Sequence, residues 1–368
     1  MQRSVNLLRK KVDMKEYKSY FRSSVDALAG YAPGEQPKML DLVKLNTNEN
    51  PFPPSPAVLG ALESFDATLL RRYPDPMADS LCSAIAEVNQ VTRNMVVAGN
   101  GSDDILTMTF RAFTAPDKPV AILDPTYSLY PVLAAMQEAP VIKIKLDENN
   151  NFAMPEDILE QAKGANLLII TRPNAPTGNS FPKENIRKIA SEFDGILFID
   201  EAYADFADDN CMDMVHEFSN VIVSRTSSKS LALAGLRFGY AVAHPVIIDG
   251  LNKLKDSYNM DMITQKLAEA AVRDQEYLQT TVAKVKSLRF ELAAELKKLN
   301  FELVDTQANF IFAAPPDGDG EKAFRFLRDH AVIVRYFPGG VTGKYLRITV
   351  GTAAQNQRLI EVLKRLYQ

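Results

Sequence analysis

Residues 166–203 read NLLIITRPNAPTGNSFPKENIRKIASEFDGILFIDEAY, and this stretch decides the fold. Residues 166–171 and 196–200 are short, nearly unbroken apolar runs, while 183–192 repeats apolar side chains at helical spacing. Strands apolar along their whole length must be covered on both faces, so strand, helix and strand predict a parallel βαβ arrangement. Working outward, further strands are expected at 95–98, 120–123, 141–146, 221–225 and 240–243, with another amphipathic stretch at 103–113. The expectation is an α/β protein whose large domain, residues 50–255, holds a mostly parallel seven-stranded sheet covered by helices.

The rest of the chain reads differently. A long helical pattern covers 264–299. Strand-like segments follow at 301–304, 309–313, 332–335 and 346–350, with helices at 321–330 and 355–366. That predicts a smaller α+β domain over 256–368, with residues 1–49 packing against it and against a dimer partner. The Pro-rich segment 50–56 is expected to be a stiff loop.

Bulk properties exclude several function classes. The 368 residues are 46% hydrophobic and 24% charged with a net charge of −4, which gives no reason to expect nucleic acid or an anionic membrane as partner. Cys82 and Cys211 are far apart and, with three scattered histidines, form no metal-ligand spacing, so no metal is expected. The apolar stretch at the N-terminus is too short for a secretory signal and no run approaches a membrane span, so a cytoplasmic protein is expected.

In a doubly wound sheet, ligands sit at the carboxyl ends of the strands, and four segments place reactive residue types there. Ala98-Gly-Asn-Gly-Ser-Asp-Asp104 follows a strand and opens a helix, so amides around Gly101, Ser102 and Asp103 suit an anion, although an ordinary Gly-rich turn would look the same. Thr171-Arg-Pro-Asn-Ala-Pro-Thr-Gly178 is a stiff loop able to hold Asn174 against a ligand oxygen, or simply a strand-to-helix turn. Asp200 ends a strongly apolar strand; a buried carboxylate needs a partner such as a cationic ring nitrogen, unless it caps the next helix. Tyr203 lies three residues on. Lys229 sits among small hydroxyl residues, and Arg237 eight residues later suits a bidentate phosphate clamp; a surface lysine with a structural arginine is the plain alternative. A lysine amine, a buried Asp, a Tyr, an Asn and an anion cradle are together the parts of a pyridoxal phosphate (PLP) site.

With these segments the chain resembles the fold-type I PLP aminotransferases and, within them, the histidinol-phosphate aminotransferase family. The likeness runs along nearly the whole chain, through Tyr31-Ala-Pro-Gly34, Leu45-Asn-Thr-Asn-Glu49, Arg72-Tyr-Pro74, Gly101-Ser-Asp-Asp104, Asp124-Pro-Thr-Tyr127, Pro173-Asn-Ala-Pro-Thr-Gly178, Asp200-Glu-Ala-Tyr203, Ser228-Lys229, Ala234-Gly-Leu-Arg237 and Leu346-Arg-Ile-Thr-Val-Gly351. The resemblance implies that Lys229 carries the cofactor as a Schiff base and then moves the substrate proton. It implies that Asp200 pairs with the ring nitrogen, Tyr203 donates to the phenolic oxygen and Tyr127 stacks on the ring. Ser102, Asp103, Thr226, Ser228 and Arg237 would hold the phosphate. Tyr73 would reach in from a neighbouring subunit, making a homodimer with shared sites. Arg347 would bind the carboxylate of glutamate and 2-oxoglutarate, with Arg335, Tyr31, Asn48 and Asn309 as further substrate-pocket residues.

One position departs from the pattern. Related aminotransferases place Asn directly before Pro-Thr-Gly; here that residue is Ala175, and Asn174 is expected to take over the bond to the phenolic oxygen. The reaction implied is L-histidinol phosphate plus 2-oxoglutarate giving imidazole acetol phosphate plus L-glutamate. An aromatic-amino-acid transaminase, or a PLP decarboxylase of a phosphorylated amino acid, would use the same scaffold. A PLP-sensing regulator would need a DNA-binding segment for which residues 1–30 are too short.

Overall fold

The computed structural model describes residues 20–28, 30–31, 34–36 and 41–368, so the expected packing of residues 1–49 falls largely outside the described residues. Of the strands described, β1 (Val43–Leu45) belongs to the smaller of two sheets. The larger holds β2 (Val96–Gly99), β3 (Val120–Asp124), β4 (Val141–Lys145), β5 (Leu167–Thr171), β6 (Ile196–Asp200), β7 (Val221–Thr226) and β8 (Gly239–Ala243), in the order β2-β8-β7-β6-β5-β3-β4. β8 runs antiparallel to both its neighbours and the remaining pairs are parallel.

The continuous apolar runs split by strand periodicity into two cores. Leu168, Ile170, Leu197, Ile199, Val221 and Val223 face one layer of helices. Leu167, Ile169, Phe198 and Ile222 face the other, against helices Ser102–Phe113 and Pro245–Asn252. With apolar side chains on both faces, the polar ends of these strands are the places left for chemistry. The register sets Thr171 beside Asp200 and Asp200 beside Ser224, so the carboxyl ends line up in one row.

The smaller sheet contains β9 (Glu302–Leu303), β10 (Phe310–Ala314), β11 (Val332–Tyr336) and β12 (Leu346–Thr349), in the order β1-β11-β12-β10-β9. Only β1 and β11 pair in parallel. Helices Gly320–Asp329, Ala353–Tyr367 and the C-terminal half of Gln275–Lys298 cover one face through Leu292, Leu296, Leu327 and Leu359.

Two expectations are corrected. The helical pattern over 264–299 is two helices, Met262–Arg273 and Gln275–Lys298, because the Asp274 side chain accepts from the Tyr277 N–H and starts a new helix there. The Pro-rich segment is a loop only as far as Ser55, which caps the helix Pro56–Glu63. No helix among the described residues is long and apolar enough to cross a membrane.

Candidate active site

A cavity of about 290 Å³ opens at the carboxyl ends of the large sheet, closed on its far side by β11, β12 and residues 46–49. At one end lie Ser102, Thr226, Ser228 and Arg237. Helix Ser102–Phe113 starts there, with its unpaired amides directed at the space. Gly101, at φ +86, brings the backbone under Arg237: a Cβ would lie 2.7 Å from the guanidinium. A Cβ on Gly239 would collide with the Ser102 amide, so close approach of two backbones requires that glycine, and the positive φ requires Gly101. Thr226 Oγ1 donates to Ser228 Oγ at 3.0 Å, and Arg237 reaches Asp103 at 3.4 Å. Helix amides, three hydroxyls and an arginine make a dianion cradle.

Lys229 lies beyond the cradle with its amine donating to the Thr47 carbonyl at 3.0 Å. Burial, reinforced by the nearby Arg347 charge, lowers its pKa to about 8. Asp200 is 4% exposed at the end of β6. Burial pushes its pKa up to about 6, against the stabilising bonds from Tyr130 Oη at 2.7 Å and the Ala202 N–H at 3.2 Å. A carboxyl so placed carries its charge at a cost that a cation brought to it would offset. Tyr127 stands over the cavity, edge-on to Tyr130 at 5.5 Å and to Tyr31 at 5.8 Å. Tyr203 lines the opposite wall, with Lys229 Nζ 5.9 Å from its ring centre.

Two arginines close the far side. Arg335 and Arg347 are directly opposed partners on β11 and β12, and both guanidiniums lie 5.3 Å from the Phe337 ring. Like charges in that position repel. Arg347 is half-buried; its Nη2 donates to the Asn46 carbonyl at 3.0 Å, and its Nε is shielded from solvent without a hydrogen-bond partner. The Asn46 Oδ1 is likewise unpartnered. A half-buried arginine with an unused donor beside a second arginine suits an anion.

Most of the residues expected from the sequence meet here: Tyr31, Asn48, Ser102, Asp103, Tyr127, Asp200, Tyr203, Thr226, Ser228, Lys229, Arg237, Arg335 and Arg347 all line the cavity. Three do not. Asn174, expected to reach a ligand oxygen, is fully buried away from the space; its amide donates to Pro125 O at 3.0 Å and Thr177 Oγ1 at 2.8 Å, bracing its own loop, and Ala175 lines the wall instead. Asn309, expected in the substrate pocket, is buried behind Asn48 and donates to the Asn48 carbonyl at 2.9 Å. Tyr73 is 78% exposed and stacks on Tyr258 at 4.5 Å, outside this chain's own cavity.

Sequence reasoning missed Tyr130, although it lies three residues after Tyr127 and packs edge-on against it, and that short spacing was the available signal. It also missed Asn46 and Glu49. Glu49 lines the cavity, and despite burial the bonds from Lys44 and Thr47 keep its carboxyl below the usual range. Behind Lys229, Arg225 pairs with buried Glu201 at 2.9 Å and with Asp205, which in turn accepts from Ser230. That ion-pair chain ties the Lys229 loop to the end of β6.

Residues 41–363 match the family described as aminotransferase class I and II. The histidinol-phosphate aminotransferase 1 of Trichormus variabilis is 45% identical over 349 residues, covering 95% of this chain and 99% of that one. The histidinol-phosphate aminotransferase of Syntrophotalea carbinolica is 41% identical, over 93% and 98%. Among solved structures, histidinol-phosphate aminotransferase from Sinorhizobium meliloti in complex with pyridoxal-5′-phosphate superposes with a TM-score of 0.86 at 23% identity, covering 95% of this chain and 99% of that one.

Proposed function

This chain belongs to the class I and II aminotransferases, and on that premise we propose that it moves the amino group of L-histidinol phosphate to 2-oxoglutarate, giving imidazole acetol phosphate and L-glutamate. The observation that supports the substrate class is the Arg335–Arg347 pair, two directly opposed guanidinium side chains lining the same cavity as Lys229, able to take a donor's phosphate in one half-reaction and an acceptor's carboxylate in the other.

The residues fit pyridoxal phosphate. The cradle of Ser102, Thr226, Ser228 and Arg237 suits its phosphate, and buried Asp200, whose charge a cation would offset, suits its ring nitrogen. When bound, the cofactor supplies a cationic ring that draws electrons from the carbon bearing the substrate's amino group. Asp200, held by the Tyr130 hydroxyl, would set its charge against the ring nitrogen. Tyr127 would cover one ring face and Tyr203 would present its hydroxyl at the phenolic edge. Lys229 would take the Cα proton and deliver it to the cofactor carbon on the other side of the substrate's amino nitrogen; an amine with a pKa of about 8 is matched to that exchange near neutral pH. Arg335 and Arg347 orient the substrate's anionic end.

We also infer a cytoplasmic homodimer with shared sites. Exposed Tyr73 and its neighbours Leu69, Leu70, Met77 and Tyr258 form an apolar surface outside the chain's own cavity, which supports a partner contact there.

The test is an absorbance spectrum of the purified protein, then addition of L-histidinol phosphate. The visible band of the bound cofactor should be lost with the donor and restored by 2-oxoglutarate, and borohydride should fix the label on Lys229. Conversion by phenylalanine or tyrosine alone would overturn the substrate assignment, and absence of any band with excess cofactor would overturn the whole reading.

A further inference from the structure

The wall at the cofactor's phenolic edge lacks a donor at Ala175, and Asn174 is turned away, which leaves Tyr203 as the donor there. We propose that Asn48 is a positioning residue for Tyr203: its side-chain N–H occupies a lone pair of the tyrosine oxygen and turns the tyrosine's single proton toward the phenolic oxygen of the cofactor. The inference rests on the reading that this site takes pyridoxal phosphate.

A tyrosine hydroxyl carries one proton, so an oxygen that accepts from a neighbour must send that proton elsewhere. Asn48 Nδ2 lies 2.9 Å from Tyr203 Oη, and both residues are buried. Thr349 fixes which end of the amide faces the tyrosine. Its hydroxyl oxygen accepts from the Asn48 backbone N–H at 3.0 Å, and its proton goes to Asn48 Oδ1 at 3.2 Å. Asn309 pins the Asn48 carbonyl, and Asn48 itself is held at φ +55, a conformation asparagine tolerates better than most residues. The Tyr203 ring is set edge-on against Phe310 at 5.1 Å. Burial raises the Tyr203 pKa, while the Arg347 charge and the bond from Asn48 pull it back, so the same contact also strengthens the hydroxyl as a donor.

The test titrates the visible absorbance of the loaded enzyme against pH in four proteins: wild type, Asn48→Ala, Tyr203→Phe and the double variant. Losing a donor to the phenolic oxygen tightens the proton that this oxygen shares with the Lys229 nitrogen. The midpoint should therefore rise by about one pH unit in Asn48→Ala, rise in Tyr203→Phe, and rise no further in the double variant. Lys229, Arg347, Asp200 and Tyr31, which also act on Tyr203, are common to all four and cancel in the comparison. Thr349→Val, which keeps the amide but unpins it, should move the midpoint the same way by less, and serves should Asn48→Ala fold poorly. Additive shifts, or no shift in either Asn48→Ala or Thr349→Val, would overturn the inference while leaving the cofactor reading intact. A wild-type protein with no visible band would remove both.

Discussion

Asp200 meets two opposed demands: burial favours its neutral form, whereas its place in the site asks for a charge. The sign of the resulting pH effect is fixed by a folded pKa of about 6 against an ordinary 3.8. Below pH ~4 both folded and unfolded chains hold the proton and no cost arises; between pH ~4 and about 6 the unfolded chain releases it while the folded, cofactor-free protein does not, so stability falls by about 3 kcal/mol and stays at that loss above. Cofactor-free Asp200→Asn should accordingly melt higher than wild type at pH 8 and equal it near pH 4, while losing transaminase activity; equal melting at pH 8 would disprove the account. Lys229 gives a second prediction. Its Ala variant should fold normally and lose about 10²–10⁴-fold in turnover, the usual worth of a positioned base. In the wild type the rate of cofactor capture should climb with pH with its midpoint near pH 8, where half of the buried amine is neutral; a midpoint near the ordinary lysine value would contradict the burial argument. Lys229, Asp200 and Arg237 were legible because each polar residue follows an apolar strand. Asn48 was legible as a pocket residue but not as Tyr203's neighbour, since a contact across 155 residues leaves no local signal.

At the level of elements, β11 and β12 hold Arg335 against Arg347, an arrangement a sheet would not choose for stability. Arg347→Met should relieve the repulsion and the half-buried charge, raising stability by about 1 kcal/mol in denaturant titration. The KM for 2-oxoglutarate should rise about 10- to 100-fold, as expected for loss of a charge-assisted contact. A destabilised variant with unchanged KM would show that Arg347 is structural. The large-sheet strands were readable because runs buried on both faces carry no polar interruption. The break between Met262–Arg273 and Gln275–Lys298 was not, because Asp274 falls inside a continuing apolar period and its role as a cap depends on backbone geometry. β1 was equally hidden: Val43-Lys-Leu45 is too short to signal a strand until β11 lies beside it.

For the molecule as a whole, the proposed homodimer with shared sites predicts a specific outcome on mixing subunits. Tyr73→Ala and Lys229→Ala homodimers should each be poorly active, but hybrids re-formed from both should regain about half of a wild-type dimer's activity, since one of two sites then combines intact Lys229 with the partner chain's intact tyrosine. No recovery would place Tyr73 outside the partner's site. The two-sheet architecture and the position of the cavity followed from the sequence pattern; the surface around Tyr73 did not, because exposed apolar residues are recognisable only once the fold shows which are left uncovered. The pairing of β1 with β11 has a consequence for biosynthesis. Val43 finds its partner Val332 roughly 290 residues later. At about 5–20 residues per second of translation, the nascent β1 edge waits some 15–60 s on the ribosome for its mate. The large sheet, complete by Ala243, can assemble during that interval, but the wall bearing Arg335 and Arg347 is synthesised only after it. A truncated chain released early would thus hold Lys229 and its cradle without the arginines that select a substrate.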